Sequence, residues 1–434
     1  MLELTGRRRS GNCSGVTRRD FLTVGSLSGL GLSLPWLLRH RRALADRGKP
    51  ARNTSVVWLW LGGGPTHVET FDPKMTAPVE YRSVTGEVDT SLPGVTIGGT
   101  FPRIGKVLDK MAIVRSFAHR NSGHSGGTHW VMTGHDYRQA DNGGLPVYPS
   151  LGSITARHRG ASHPRTGAPT YVRMNGIYAD GPAFLGPSFA PFDQNGQARR
   201  NMKLPLPKDR IVGRRTLLKQ LDRINRRIDS SGLLEGFDRF EEQAFDLVFG
   251  TAADAFDWRK EDRKTIERYG RGLGEQLLTA RRLCEAGVGF VTIHYGGWDM
   301  HGQIARAMKS RSPQVDQAVS AFVEDIYARG LDENILLVIT GEFGRTPRVN
   351  RSAGRDHWAP LSTLALSGGG LRMGQVVGES ADKVDVPKTQ PITPQDLAAT
   401  VFHVLGVPQD IAFVNNAGRP IKIVSEGQPI PELA

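Results

Sequence analysis

Apolar residues in this chain fall in short runs that end in glycine-rich turns, and charged positions crowd between them. Ser55 to Leu61 is one run, Gly287 to Tyr295 a second, and Ile335 to Ile339 a third. The first and third lack the polar alternation of a half-exposed strand, and the third is too short for a buried helix. These two predict strands covered on both faces, as in a parallel sheet, and Gly287 to Tyr295 is a third strand candidate. Met111–Ser116, Tyr171–Met174 and Ser362–Leu366 are shorter strand candidates. Val315, Ala318, Val319, Phe322 and Ile326 repeat at helical spacing, and Ser312-Pro313 reads as the cap and first-turn proline of that helix. With Gly330 and the run at 335–339 it completes a βαβ unit. Further helices are predicted near Ser150–His158 and from Thr393-Pro394 to Gly406. Charged helical patterns at 212–230, 233–256 and 261–286 predict a mostly helical insert around 208–286. Residues 75–110, rich in Gly, Pro and Thr, read as a surface excursion.

Polar chemistry gathers where the apolar runs stop. Open α/β sheets hold ligands outside the carboxyl ends of their strands, where loops converge on a rigid frame. The first run is followed by Gly62-Gly63-Gly64 and then His67 and Glu69. These glycines are not a phosphate loop, because the Gly-Lys-Ser/Thr ending is missing. The second run leads to Asp299 and His301; the third leads to Glu342 and Arg345, then Asp356 and His357. Beyond Met111–Ser116 lie His119, His124, His129 and His135, four of the twelve histidines, among Ser and Thr hydroxyls. Mixed nitrogen and oxygen ligands suit one or two divalent ions: zinc, manganese, magnesium or calcium. Arg345 or Arg355 could hold a tetrahedral anion, and Ser125 or Thr128 is placed to supply a nucleophilic hydroxyl. The alternative for the acids is helix capping and loop hydrogen bonding.

Composition adds an address. The formal charge is +13, but residues 1–45 hold eight arginines against Glu3 and Asp20, so the remainder is only mildly basic and has no dense basic run to suggest nucleic-acid binding. Thr17-Arg18-Arg19-Asp20-Phe21-Leu22, a Gly- and Ser-diluted apolar stretch to Leu38, and Ala43-Leu44-Ala45 together predict a twin-arginine signal peptide over 1–45. Export through the twin-arginine translocase would leave a mature chain starting at Asp46, periplasmic or otherwise exported, with no stable membrane span. Cys13 lies in that leader, so Cys284 has no partner in the mature chain.

Four motifs in this order carry a resemblance: Gly-Gly-Gly-Pro-Thr-His-Val-Glu-Thr-Phe-Asp-Pro-Lys at 62–74, Gly-Trp-Asp-Met-His at 297–301, Gly-Glu-Phe-Gly-Arg-Thr-Pro at 341–347 and Gly-Arg-Asp-His-Trp at 354–358. Together they resemble the exported bacterial family called domain of unknown function 1501, a branch of the alkaline phosphatase and sulfatase superfamily. The resemblance implies a three-layer α/β/α domain over 46–434 with a central, mainly parallel sheet and a metal-centred hydrolase site. Asp299, His301 and His357 resemble metal ligands of that superfamily, and Glu342 stands where it has an acid. The implied function is an exported metal-dependent hydrolase of phosphate, phosphonate or sulfate esters, acting on an anionic small molecule or polysaccharide. The alternative is a non-catalytic binding protein that keeps the fold. No Cys/Ser-x-Pro-x-Arg sequence occurs, which speaks against an ordinary formylglycine sulfatase. The expectation is that Asp299, His301, Glu342 and His357 meet most closely, with His67 adjacent and Ser125 or Thr128 flanking. Glu69 and Asp356 would serve as ligands or as acceptors that orient a neighbouring His.

Overall fold

The three long apolar runs become three neighbouring strands. In the computed structural model, which describes residues 53–196 and 251–434, they are β1 (Ser55–Trp60), β5 (Phe290–His294) and β6 (Ile335–Thr340). Between the first two in sequence come β2 (Ala112–Val114), β3 (Tyr171–Met174) and β4 (Phe192–Asp193). After β6 come β7 (Leu364–Gly368) and β8 (Gln375–Val377). The sheet order is β8-β2-β7-β6-β1-β5-β3-β4. All adjacent pairs are parallel except those of β7, which runs against both β6 and β2.

Alternate side chains of the central strands feed two cores. Val57 and Leu59 of β1 join Leu337 and Ile339 of β6 on one face. There they pack against α3 (Leu273–Glu285) and α4 (Ile304–Ala328). Val56, Trp58 and Trp60 face the other way, towards α1 (His124–Thr133), α2 (Leu151–Arg159) and α5 (Pro394–Leu405). The result is the expected three-layer α/β/α arrangement. It explains why these strands are mostly apolar on both faces: neither face meets water, and the polar Ser55, Thr292 and Thr340 are themselves buried. The described residues form one unit.

Several boundaries differ from the sequence reading. The helix expected to open at Ser312-Pro313 instead starts at Ile304, and Pro313 lies inside it. An interior proline costs about 3 kcal/mol. Ile304 and Met308 are fully buried in the preceding turns, and burying such side chains returns about 1.5–3 kcal/mol each, enough to carry the helix through. The pattern at 261–286 is two helices, Arg263–Tyr269 and α3, separated at Gly270 and Gly272, both with positive φ. The excursion at 75–110 is anchored: Ile97, Phe101, Ile104 and Leu108 are buried in the core. The leader, and most of the insert read at 208–286, lie outside the described residues.

Strand register sets where the loops begin. Trp60 pairs with His294 on one side and Thr340 on the other. The chains leaving β1, β5 and β6 therefore emerge level, at one edge of the sheet.

Candidate metal centre

Three loops leave that edge, and packing and main-chain bonds lock them together. Trp298 and Phe343, each wholly buried, pin the loops after β5 and β6 into the core. The loop after β6 doubles back as a ribbon in which Gly344-Arg345 pairs antiparallel with His357-Trp358, placing His357 opposite Arg345. Its tip is tied to the other loop by main-chain bonds from Gln303 and Ile304 to the carbonyls of Ser352 and Ala353. Two glycines make the approach possible. A Cβ on Gly63 (φ +114°) would lie 2.5 Å from the Asp299 amide nitrogen, and one on Gly354 would lie 2.1 Å from the His301 carbonyl carbon.

In this frame three imidazoles surround one carboxylate. His301 Nε2 lies 3.0 Å and His357 Nε2 lies 3.2 Å from Asp299 Oδ1, and the two nitrogens are 3.0 Å apart. His124 Nε2 is 3.5 Å from Asp299 Oδ2. Ligand atoms of His124, Asp299 and His357 all fall within 4.8 Å of one another. The other nitrogen of each ring is taken by an oxygen acceptor. His124 Nδ1 donates to Glu342 Oε1 (2.8 Å), His301 Nδ1 to Asp356 Oδ1 (2.8 Å) and His357 Nδ1 to the Ser122 carbonyl (3.0 Å). Those acceptors assign the tautomers. Each neutral ring holds its proton on Nδ1 and turns the Nε2 lone pair towards Asp299. The Arg345 guanidinium, against Asp299 Oδ1 and 3.4 Å from His301 Nε2, offsets part of the repulsion among these lone pairs and the carboxylate, and a metal ion or protons on the rings would relieve the rest. Orienting acceptors behind the imidazoles are the usual companions of histidine metal ligands.

Electrostatics favour an ionised acid there. Burial works against the Asp299 charge, but the Arg345 guanidinium outweighs it and holds the carboxyl at about 2. The hydrogen bond to Glu342 raises His124, whereas burial lowers His357. A proton and a metal compete for the same Nε2, so metal affinity should fall as pH drops through the histidine range. His124 should take up its proton before His357, and Asp299 should stay ionised throughout. Zinc titrations from pH 8 to 5 check this; affinity that holds to pH 4 would mean that the imidazoles are not ligands.

The expected residues divide into groups. Asp299, His301 and His357 meet in the centre. Glu342 is buried behind His124 and also accepts from the Gly63 amide, while its Oε2 is buried without a partner. Asp356 stands behind His301, braced by Asn350 Nδ2. His67 and Glu69 are not brought in. The β1 loop turns straight into a short helix, and burial lowers His67, whose Nε2 bonds the Val384 carbonyl. Glu69 is wholly buried in a two-pronged ion pair with Arg355. Arg355 is thereby occupied as well, and so is Arg345. All five Arg345 N–H groups have partners: the carbonyls of Gly63, Gly64 and Arg355, Asp299 Oδ1, and His301 Nε2 at 3.4 Å. Neither guanidinium is left free to clamp an anion. Thr128 flanks the centre, but its hydroxyl donates to the His124 carbonyl one turn back. Ser125 is half-buried beside His124.

Of the four histidines at 119–135 only His124 joins the centre. His119 packs on Trp130, and His135 stacks on Tyr148. His129 bonds the His135 carbonyl. The spacing of these residues does not separate them. The distinguishing feature is that His124 opens α1 directly after Gly123, so it sits at the loop end of its helix rather than along its packed face.

Residues 53–434 match the model of a family described as Protein of unknown function (DUF1501). No curated protein matches the chain. Among solved structures it is similar to PsFucS1 sulfatase from Pseudoalteromonas sp., with 14% identity over 85% of this chain and 70% of that one, at a TM-score of 0.37. It is also similar to the phosphonate monoester hydrolase SpPMH from Silicibacter pomeroyi, with 12% identity over 82% and 74% and a TM-score of 0.37. A TAB5 alkaline phosphatase mutant with Mg bound is 12% identical over 82% of this chain and 98% of that one, at a TM-score of 0.36.

Proposed function

The chain belongs to the DUF1501 family, and we propose that it is an exported, metal-dependent hydrolase of phosphate, phosphonate or sulfate esters. One observation carries the metal: three imidazoles, each fixed at Nδ1 by an oxygen acceptor, aim Nε2 at the single carboxylate of Asp299. The partnerless buried Oε2 of Glu342 beside them is a further donor that fits a cation. His124, His301, His357 and Asp299 would hold the ion, and three nitrogens with one carboxylate favour zinc over magnesium or calcium. Bound there, such an ion supplies Lewis-acid polarisation of an anionic oxygen and activation of water.

The residues around it do the positioning. Glu342, Asp356 and the Ser122 carbonyl keep the rings in the ligating tautomer. Arg345 holds Asp299 ionised and in place. Half-exposure of His124, Asp299 and His301 leaves the centre open to solvent and to a substrate at the sheet edge. The ester class rests on the motif resemblance in the sequence; an anionic small molecule or an anionic polysaccharide fits an open cationic centre of this kind. For the attacking group the local bonding favours Ser125 or water over Thr128, whose hydroxyl is already donated. Ser125→Ala separates the two: loss of more than about 100-fold in kcat supports covalent attack by the hydroxyl, and near-native turnover supports water. A screen of phosphate, phosphonate and sulfate esters with added zinc, manganese, magnesium or calcium tests the function itself. Stoichiometric metal uptake without turnover of any ester class would favour the binding-protein reading.

Export is part of the same proposal and rests on Arg18-Arg19 and Ala43-Leu44-Ala45. No helix among the described residues is long and apolar enough to cross a membrane. Replacing both arginines by Lys should trap precursor in the cytoplasm, and the exported chain should begin at Asp46. Undiminished export of the Lys-Lys form would remove the twin-arginine route.

A further inference from the structure

Asp299 faces two cation positions. Its Oδ2 is turned to His124, while its Oδ1 meets His301, His357 and, at 2.5 Å, Arg345 Nη2. In two-metal hydrolases a pair of ions about 3.5–4 Å apart shares the charge of the reacting anion. Here one of the two places beside the carboxylate is already filled. Arg345 is wholly buried, and its guanidinium is fastened by the main-chain carbonyls of Gly63, Gly64 and Arg355 as well as by Asp299. Its Nη1 lies 3.4 Å from His301 Nε2. The side chain cannot swing away without stranding five donors, and a guanidinium does not lose its charge in a protein.

We propose that Arg345 is the resident second cation of this centre, so that the protein binds one metal ion and supplies the other positive charge itself. This rests on the metal-centre reading and extends it to the number of ions and the role of Arg345. It assigns Arg345 a positioning and charge-balancing part, in place of direct contact with the substrate. Geometry alone favours this arrangement over a dinuclear one. A second ion on the Oδ1 side would have to displace a guanidinium held by three carbonyls, and it would leave those carbonyls without donors in a dry interior.

Zinc content of the full exported protein tests the inference. Chelator-stripped protein is titrated with zinc, the excess is removed, and the metal is counted by mass spectrometry. About one equivalent is expected however much zinc is added, and Arg345→Lys, which keeps the charge, should also hold about one. Arg345→Gln, checked for folding by circular dichroism, should take up a second and weaker equivalent. Two tight equivalents in the unaltered protein would overturn the inference while leaving the metal-centre reading standing. A folded Arg345→Gln that still binds only one would overturn it as well. No zinc in the unaltered protein would remove the metal-centre reading itself, and the inference with it. Should Arg345→Gln fail to fold, the count in the unaltered protein and in Arg345→Lys decides.

Discussion

Asp299→Asn is expected to leave the fold intact and to weaken zinc binding by more than about 100-fold, with ester hydrolysis lost in parallel. Removing an acceptor behind a ligating imidazole costs about 10–100-fold in metal affinity or activity, and Asp299 is the shared partner of all three rings rather than one of the acceptors. The same scale orders the neighbours: Asp356→Asn, which loosens only His301, should fall within that 10–100-fold band. The fold should survive because Asn keeps the shape of Asp299, and because Arg345 retains the carbonyls of Gly63, Gly64 and Arg355. Competition against a zinc-binding dye measures the affinities, and thermal melts of the metal-free forms check the fold. Equal, small losses for Asp299→Asn and Asp356→Asn would show that Asp299 has no special place.

Glu69→Ala should behave in the opposite way, destabilising the protein while sparing the metal. Both members of the Glu69–Arg355 pair are wholly buried, and removing one partner of a buried pair leaves a stranded charge, at a cost of about 3–5 kcal/mol. That is a large part of the roughly 5–15 kcal/mol that holds a domain folded. Arg355 also donates to the carbonyls of Thr346, Pro347 and Arg82. The pair therefore staples the base of the 346–356 loop, and a marked drop in the denaturant midpoint is expected. Zinc uptake by the folded fraction should be unchanged. A variant of native stability that no longer binds zinc would make Glu69 a ligand after all.

The contrast between Asp299 and Glu69 also marks how far the sequence could be read. The central strands were legible because β1, β5 and β6 are largely buried on both faces and so are written as mostly apolar runs. Their parallel pairing then brings the residues beyond them to one edge, which is why Asp299, His301 and His357 could be gathered from positions far apart in the chain. What could not be read depends on partners that local pattern does not carry. Glu69 follows β1 as a site residue would, yet its use is set by Arg355, 286 residues away. Arg345 carries the expected charge, but its role is fixed by which carbonyls it meets. His124 resembles three other histidines until α1 sets it at a loop end. Pro313 looks like a helix start because the apolar anchors Ile304 and Met308, which extend α4 towards its N-terminus, lie before it.

Convergence of His124, Asp299, His301 and His357 around a metal ion is the central claim, and X-ray absorption at the zinc edge of the zinc-loaded protein tests it most directly. The expected spectrum shows imidazole scattering from three rings and a carboxylate oxygen, with zinc–ligand distances of about 2.0–2.2 Å, and His124→Ala removes one ring from it. A zinc environment without imidazole, or one unchanged in His124→Ala, Asp299→Asn and His357→Ala, would contradict it.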